Sequence, residues 1–189
     1  QEFDALSTFA SLIAQTRARL EAQRASAVLL DAQQTLAATG KMFLEASAED
    51  APFAIHKALG RVGRLLGADL ALIGSLTRDR ARIAVDDAWS APGQVTIDIG
   101  LEFARAEFPS IEAFLTDRTL FHTGDINREI APAVEIAPEG EWVSIVSPIR
   151  GTGVQLGGLV LLWNEATIAD PDGVRDVVDA TADLIGQLQ

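Results

Sequence analysis

Apolar residues recur in three rhythms along this chain. Over residues 3–46 a 4–3 spacing runs through Phe9, Ile13, Thr16, Leu20, Gln23, Ala27, Leu30, Gln34 and Ala37, flanked by Arg17, Arg19, Glu21 and Arg24. This stretch has no proline and one glycine, Gly40, and is rich in strong helix formers. The spacing predicts a helix, about 65 Å long if uninterrupted at 1.5 Å per residue. The stripe is heptad-like with polar interruptions. It fits an amphipathic helix lying on its own domain, or a parallel dimer helix reaching beyond the core. The length favours the second.

The next apolar set, Phe53, Ile55, Ala58, Leu59, Val62, Leu65 and Leu66, is helically spaced. Asp50 is the expected cap, Pro52 falls in the first turn and Gly67 ends the helix. Asp69–Leu76 then reads as a strand and Ala81–Trp89 as its antiparallel partner across the polar turn Thr77-Arg78-Asp79-Arg80, a hairpin of two half-buried strands. Strands Trp142–Ile149 and Val154–Trp163, around Gly151-Thr152-Gly153, form a second hairpin. A closing helix, Gly173–Leu188, buries Val174, Val177, Val178, Thr181, Leu184, Ile185 and Leu188.

Residues 90–141 are broken by Pro92, Gly93, Gly100, Pro109, Pro132, Pro138 and Gly140. Helical stretches are expected at Leu101–Glu107 and Ser110–Thr116, and a short strand at Thr119–His122. So long an irregular segment in a compact fold usually covers or binds something. Phe9–Gln15 is echoed at Thr181–Gln187, with four of seven positions identical. Either two Ala/Leu-rich helices are alike by chance, or the chain opens on the exit helix of a similar upstream domain.

The strand over Trp142–Ile149 has two faces. Val143, Ile145 and Ile149 make one apolar, with Ser147 as its exception. Trp142, Ser144, Val146 and Pro148 make the other, which mixes an indole, a hydroxyl and aliphatic carbon as small-ligand pockets do. Leu159, Leu161 and Trp163 share a face of the next strand and are compatible with either surface. The plainer reading of all these residues is ordinary core, with Ser144 bonded to backbone.

The 189 residues suit one domain with a helical extension, and 48% hydrophobic content is enough for a core. The longest apolar run, around Leu159–Trp163, is far below the ~20 residues of a membrane helix. The chain opens on Gln1 without a secretory leader, which suggests a soluble piece of a longer protein in the cytoplasm. A net charge of −12 argues against nucleic acid as a partner. The absence of cysteine excludes disulfides, thiolate catalysis and Cys-based metal sites.

His56 and His122 are far apart and lack the spacing of a metal pair, so each reads more simply as a satisfied histidine than as a metal or haem ligand. Asp86 and Asp87, adjacent on a strand, are expected on opposite faces, poor geometry for a catalytic carboxylate pair. No serine sits in a Gly-x-Ser-x-Gly elbow, and Gly151-Thr152-Gly153 and Gly157-Gly158 precede no helix. No catalytic or metal-binding residue is assigned, and the chain does not read as an enzyme.

The order of elements resembles a GAF domain, the ligand-sensing module of many bacterial and plant signalling proteins. Ala58 to Asp69 is similar to the family's first helix and its Gly-Ala-Asp step into the first strand. Ala88-Trp89-Ser90-Ala91-Pro92-Gly93 is similar to a Glu-Trp-x-Ala-Pro-Gly stretch of one bacterial subgroup. Phe108-Pro109, Phe114-Leu115 and Asp125-Ile126 follow that subgroup's run, and Gly140–Ile149, Gly151–Gly153 and Gly158 resemble its closing hairpin. The likeness covers roughly residues 50–189.

The resemblance implies an α+β fold, a GAF-like central antiparallel sheet of five to six strands with helices on both faces, plus the long N-terminal helix. It divides the chain into a linker and dimerisation helix, 1–47, and a sensory domain, 48–189. By analogy with chromophore-binding relatives, Trp142, Ser144, Val146, Leu161 and Trp163 would face a small-molecule ligand covered by residues 95–140. Attachment of a bilin to the domain's own cysteine and cysteine-based methionine sulfoxide reduction are excluded. The Asn-Lys…Phe…Asp-Glu signature of cyclic-nucleotide binders is missing. Val143-Ser144 and Ser147-Pro148 stand where the subgroup has Ser-Leu and Val-Pro, so the pocket is shaped differently or not maintained. The implied role is non-catalytic sensing, with an unidentified ligand, a homodimer through the N- and C-terminal helices and a covalently linked output domain. The alternative is a ligand-free dimerising spacer.

Overall fold

The computed structural model describes residues 2–79, 81–94, 96–104, 119–123, 142–151, 155–164, 168 and 170–188. The chain divides into two compact units, Gln1–Gln34 and Thr35–Gln189. The first lies within helix α1, Glu2–Glu45, and its Thr16, Gln23, Ala27 and Leu30 are exposed in the single chain. The second takes in the last turns of α1, because Phe43 belongs to its apolar core.

Helix α2, Ala51–Leu66, has proline in its first turn, as expected. Asp50 makes no side-chain capping bond. Its carboxylate instead accepts from Ser47 Oγ at 2.6 Å, while its own N–H donates back to that oxygen at 3.3 Å. The helix ends at Gly67, at φ +64°, and Ala68 N–H bonds back to the Gly63 carbonyl at 2.8 Å. That closure turns the chain straight into the sheet.

The strands are β1 (Leu70–Leu76), β2 (Arg82–Ser90), β3 (Glu102–Ala104), β4 (Leu120–Thr123), β5 (Trp142–Arg150) and β6 (Gln155–Asn164), followed by helix α3 (Pro171–Leu188). They form one sheet in the order β3-β2-β1-β6-β5-β4, each neighbouring pair antiparallel. The two long hairpins thus join through β1 and β6. Strand β3 replaces a stretch that local propensity reads as helix. Gly100 turns the chain at φ +87°, Gly100 N–H bonds the Val85 carbonyl at 2.7 Å, and Val85 N–H bonds the Leu101 carbonyl at 2.9 Å. Arg82 then pairs with Glu102 at 3.0 Å, and tertiary pairing overrides propensity. The helix expected at Ser110–Thr116 lies outside the described residues.

The core sits between one sheet face and the helices. Ala58, Leu59 and Val62 of α2 and Val178, Ala182 and Ile185 of α3 pack with Ala71, Ile73, Ile145, Leu159, Leu161 and Trp163 of the sheet. Gly60 and Gly63 of α2 make room for the Trp89 ring, which a side chain at Gly63 would overlap. Helices were expected on both faces. Helices α2 and α3 share one face, and most of the segment expected to cover the other lies outside the described residues.

Candidate functional site

Strand β5 sends Ile145 and Ile149 toward the helices and Ser144 and Val146 to the opposite face. Across the ladder Ser144 pairs with Leu162 and Val146 with Val160, and these continue to Leu70 and Leu72 of β1. All six are buried. Among these six residues the one polar side-chain group is the Ser144 hydroxyl. Ser144 is 0% exposed, and its Oγ has no hydrogen-bond partner among the described residues. On its other side Ser144 pairs in register with His122 of β4.

The five residues expected to form one surface do not. Leu161 and Trp163 face the helices, in register with Ile145 and Val143, and the Trp163 indole N–H donates to the Leu66 carbonyl of α2 at 3.1 Å. Trp142 begins β5 opposite Asn164, and its side chain lies outside the described residues. The cause is a register shift between Ile149 and Arg150. Continued from Arg150↔Gln155, the ladder would set Ser144 opposite Leu161 and Trp142 opposite Trp163. The irregularity moves the pairing by one residue, which turns every β6 side chain to the other face. Leu162, Val160, Leu70 and Leu72 are the neighbours of Ser144 that sequence reasoning missed.

Ser147, the polar exception on the helix side, also finds its reason. It is 2% exposed and donates to Asp179 Oδ1 of α3 at 2.7 Å. Thr119 Oγ1, just before β4, hydrogen-bonds the same carboxylate oxygen. Three elements meet at this carboxylate.

The Asp86–Asp87 pair departs from simple alternation. The β1–β2 register shifts so that Ile73 pairs with Asp87 and Gly74 with Val85, leaving Asp86 bulged. Asp87 accepts from Ala88 N–H at 2.8 Å and bonds His56 Nδ1 of α2 at 2.9 Å, while Asp86 accepts from Ser75 Oγ at 2.9 Å. Desolvation raises the Asp86 pKa, opposed by the Ser75 hydrogen bond and reinforced by the Asp87 charge. Asp79, in the exposed β1–β2 turn, is held below its ordinary value by hydrogen bonds from Thr77 and Ala81. The bonds made by Asp87 tie α2 to β2. Among the described residues no cluster of three or more His, Cys, Asp or Glu side chains is placed to hold a metal, and no helix is long and apolar enough to cross a membrane.

This arrangement superposes on solved GAF domains. The A. aeolicus nlh2 GAF domain, solved in an inactive state, superposes with a TM-score of 0.64 at 12% identity, over 85% of this chain and 96% of that one. The phycocyanobilin-bound GAF domain of a cyanobacterial phytochrome gives 0.63 at 14% identity, over 82% and 91%. The GAF domain of Acinetobacter phosphoenolpyruvate-protein phosphotransferase gives 0.60 at 10%, over 82% and 90%. The chain is a GAF-fold domain. No protein-family profile and no curated protein sequence matches it.

Proposed function

We propose that this domain is a non-catalytic sensory module of a cytoplasmic signalling protein. It binds a small apolar-to-amphipathic molecule against the Ser144 face, and ligand state biases dimeric N- and C-terminal helices that lead to a covalently linked output domain. Such coupling requires the ligand to favour one helical arrangement over another.

The observation that carries this reading is the Ser144 hydroxyl, wholly buried beside Val146, Val160 and Leu162 and without a hydrogen-bond partner among the described residues. An unsatisfied buried polar group costs about 1–3 kcal/mol. A ligand that bonds it recovers that energy, and one polar handle in an apolar wall fixes a ligand's orientation. One of the structures sharing the fold is described as holding phycocyanobilin.

Ser144→Ala tests this in two directions. Without ligand the substitution removes an orphan hydroxyl, so urea unfolding is expected to show unchanged or increased stability, by up to about 1–3 kcal/mol. In a thermal-shift metabolite screen, a ligand at ~100 times its dissociation constant adds about 2.7 kcal/mol to the wild type and less to Ser144→Ala. A destabilised ligand-free variant that responds to ligand as the wild type does would contradict the proposal.

The second reading, a ligand-free dimerising spacer, is favoured by a different feature. The ends of α1 and α3 form an open groove of about 230 Å³ lined by Gly40, Phe43, Leu44, Leu184, Gln187 and Leu188, where Leu44 is 90% exposed. A dimer that forms through these helices and takes up no ligand would select the spacer.

A further inference from the structure

Resting on the sensory reading above, we propose that the Thr119–Ser147–Asp179 junction carries a change at the Ser144 face into α3. Ser144 and Ser147 lie three residues apart on β5, so alternation puts them on opposite faces of the sheet. One strand thus presents a buried hydroxyl to the ligand side and, three residues along, a hydrogen bond to the closing helix on the other.

Most of what holds α3 to the sheet is non-directional. Val178, Ala182 and Ile185 are packed apolar side chains, which tolerate small sliding. The junction is different, because Ser147 Oγ and Thr119 Oγ1 both bond Asp179 Oδ1. Hydrogen bonds to a carboxylate are roughly twice as strong as neutral ones and fix a direction. Thr119 leads into β4, which pairs with β5 at Leu120↔Val146, so β4, β5 and α3 are held at one oxygen.

A second fixed point lies further along the same two elements. Gly186 of α3 sits so close to the backbone of Arg150, the last residue of β5, that a side chain there would overlap its carbonyl. Asp179 to Gly186 is about 10 Å along a helix at 1.5 Å per residue, and Ser147 to Arg150 is about 10 Å along a strand at ~3.3 Å per residue. The two spans match. Helix α3 is therefore seated on β5 at two points of equal spacing, and a displacement of the strand moves the helix as a body.

The test needs no ligand. Hydrogen exchange of the α3 amides is measured in the 189-residue chain, with Ser144→Val as the perturbation of the ligand face. With the junction intact, Ser144→Val is expected to change exchange across α3 by about two- to threefold or more, the coupling expected of groups in one network. In a Ser147→Ala background the change disappears, and Ser147→Thr, which keeps the hydroxyl, restores it. Asp179→Asn keeps a weaker acceptor, gives the same comparison if Ser147→Ala does not fold, and is expected to show an intermediate response. A response of full size in Ser147→Ala or Asp179→Asn, or no response with the junction intact, overturns the proposal. Failure to find a ligand would overturn the sensory reading and leave this measurement unaffected.

Discussion

Trp163→Ala is expected to lower the unfolding free energy by about 3–5 kcal/mol, the range for deleting a large aromatic from a core. Trp163 is 3% exposed and lies in the cluster beneath α2 and α3. Its indole N–H also satisfies the Leu66 carbonyl at 3.1 Å, one of the final carbonyls of α2 that a helix leaves without an internal partner. The substitution removes packing and a helix-end hydrogen bond together. Trp163→Phe keeps most of the packing and strands the carbonyl, so it is expected to cost less, with about 1 kcal/mol from the lost bond. Urea unfolding of the two variants separates these contributions. A loss below about 1 kcal/mol for Trp163→Ala would be far outside core behaviour and would return this residue to the ligand face.

Gly186→Ala is the second large effect. A Cβ there would overlap the Arg150 carbonyl oxygen, lie 2.8 Å from its carbon and 3.2 Å from the backbone nitrogen. All three atoms are backbone, so no rotamer change relieves the clash. Helix α3 must lift from β5 or the strand must bend, and the cost is expected at or above the upper end of the ~1–3 kcal/mol of core overpacking. For a chain of this size each kcal/mol lowers Tm by about 2–4 °C. Gly40→Ala is the control: its Cβ would meet Leu184 Cδ2 at an ordinary 3.7 Å. Replacing that mid-helix glycine is expected to stabilise by roughly 0.5–1 kcal/mol. Opposite signs at two helical glycines, read by thermal unfolding, would show that close approach and not helix propensity explains Gly186.

Much of the fold was legible because periodicity records burial directly. The stripe from Ile55 to Leu66 and the alternation in β2 and β5 each mark a face, β1 and β6 read as strands by their short apolar runs, and Gly67 marks a stop that needs positive φ. What stayed hidden depends on partners distant in sequence. Glu102–Ala104 reads as helix by composition and becomes a strand because Arg82–Ala84 offers an edge after the Gly100 turn. Ser147 looks out of place until Asp179 arrives from α3.

The candidate site was half legible. Ser144 and Val146 follow from alternation within β5 alone. Leu161 and Trp163 required the parity of the β5–β6 ladder, and that parity turns on one irregular step between Ile149 and Arg150. Glycines and a turn signal announce a hairpin, yet they do not say whether a residue bulges beside it. A one-residue difference there exchanged the two faces of β6.

Native mass spectrometry of gently purified wild type, with the same sample then denatured, tests the central claim most directly. The account predicts a reproducible extra mass that is released on denaturation and is lost or diminished in Ser144→Ala. The bare chain mass alone in the wild type would contradict sensing and favour the spacer, while equal retention in Ser144→Ala would show that the ligand does not depend on the Ser144 hydroxyl.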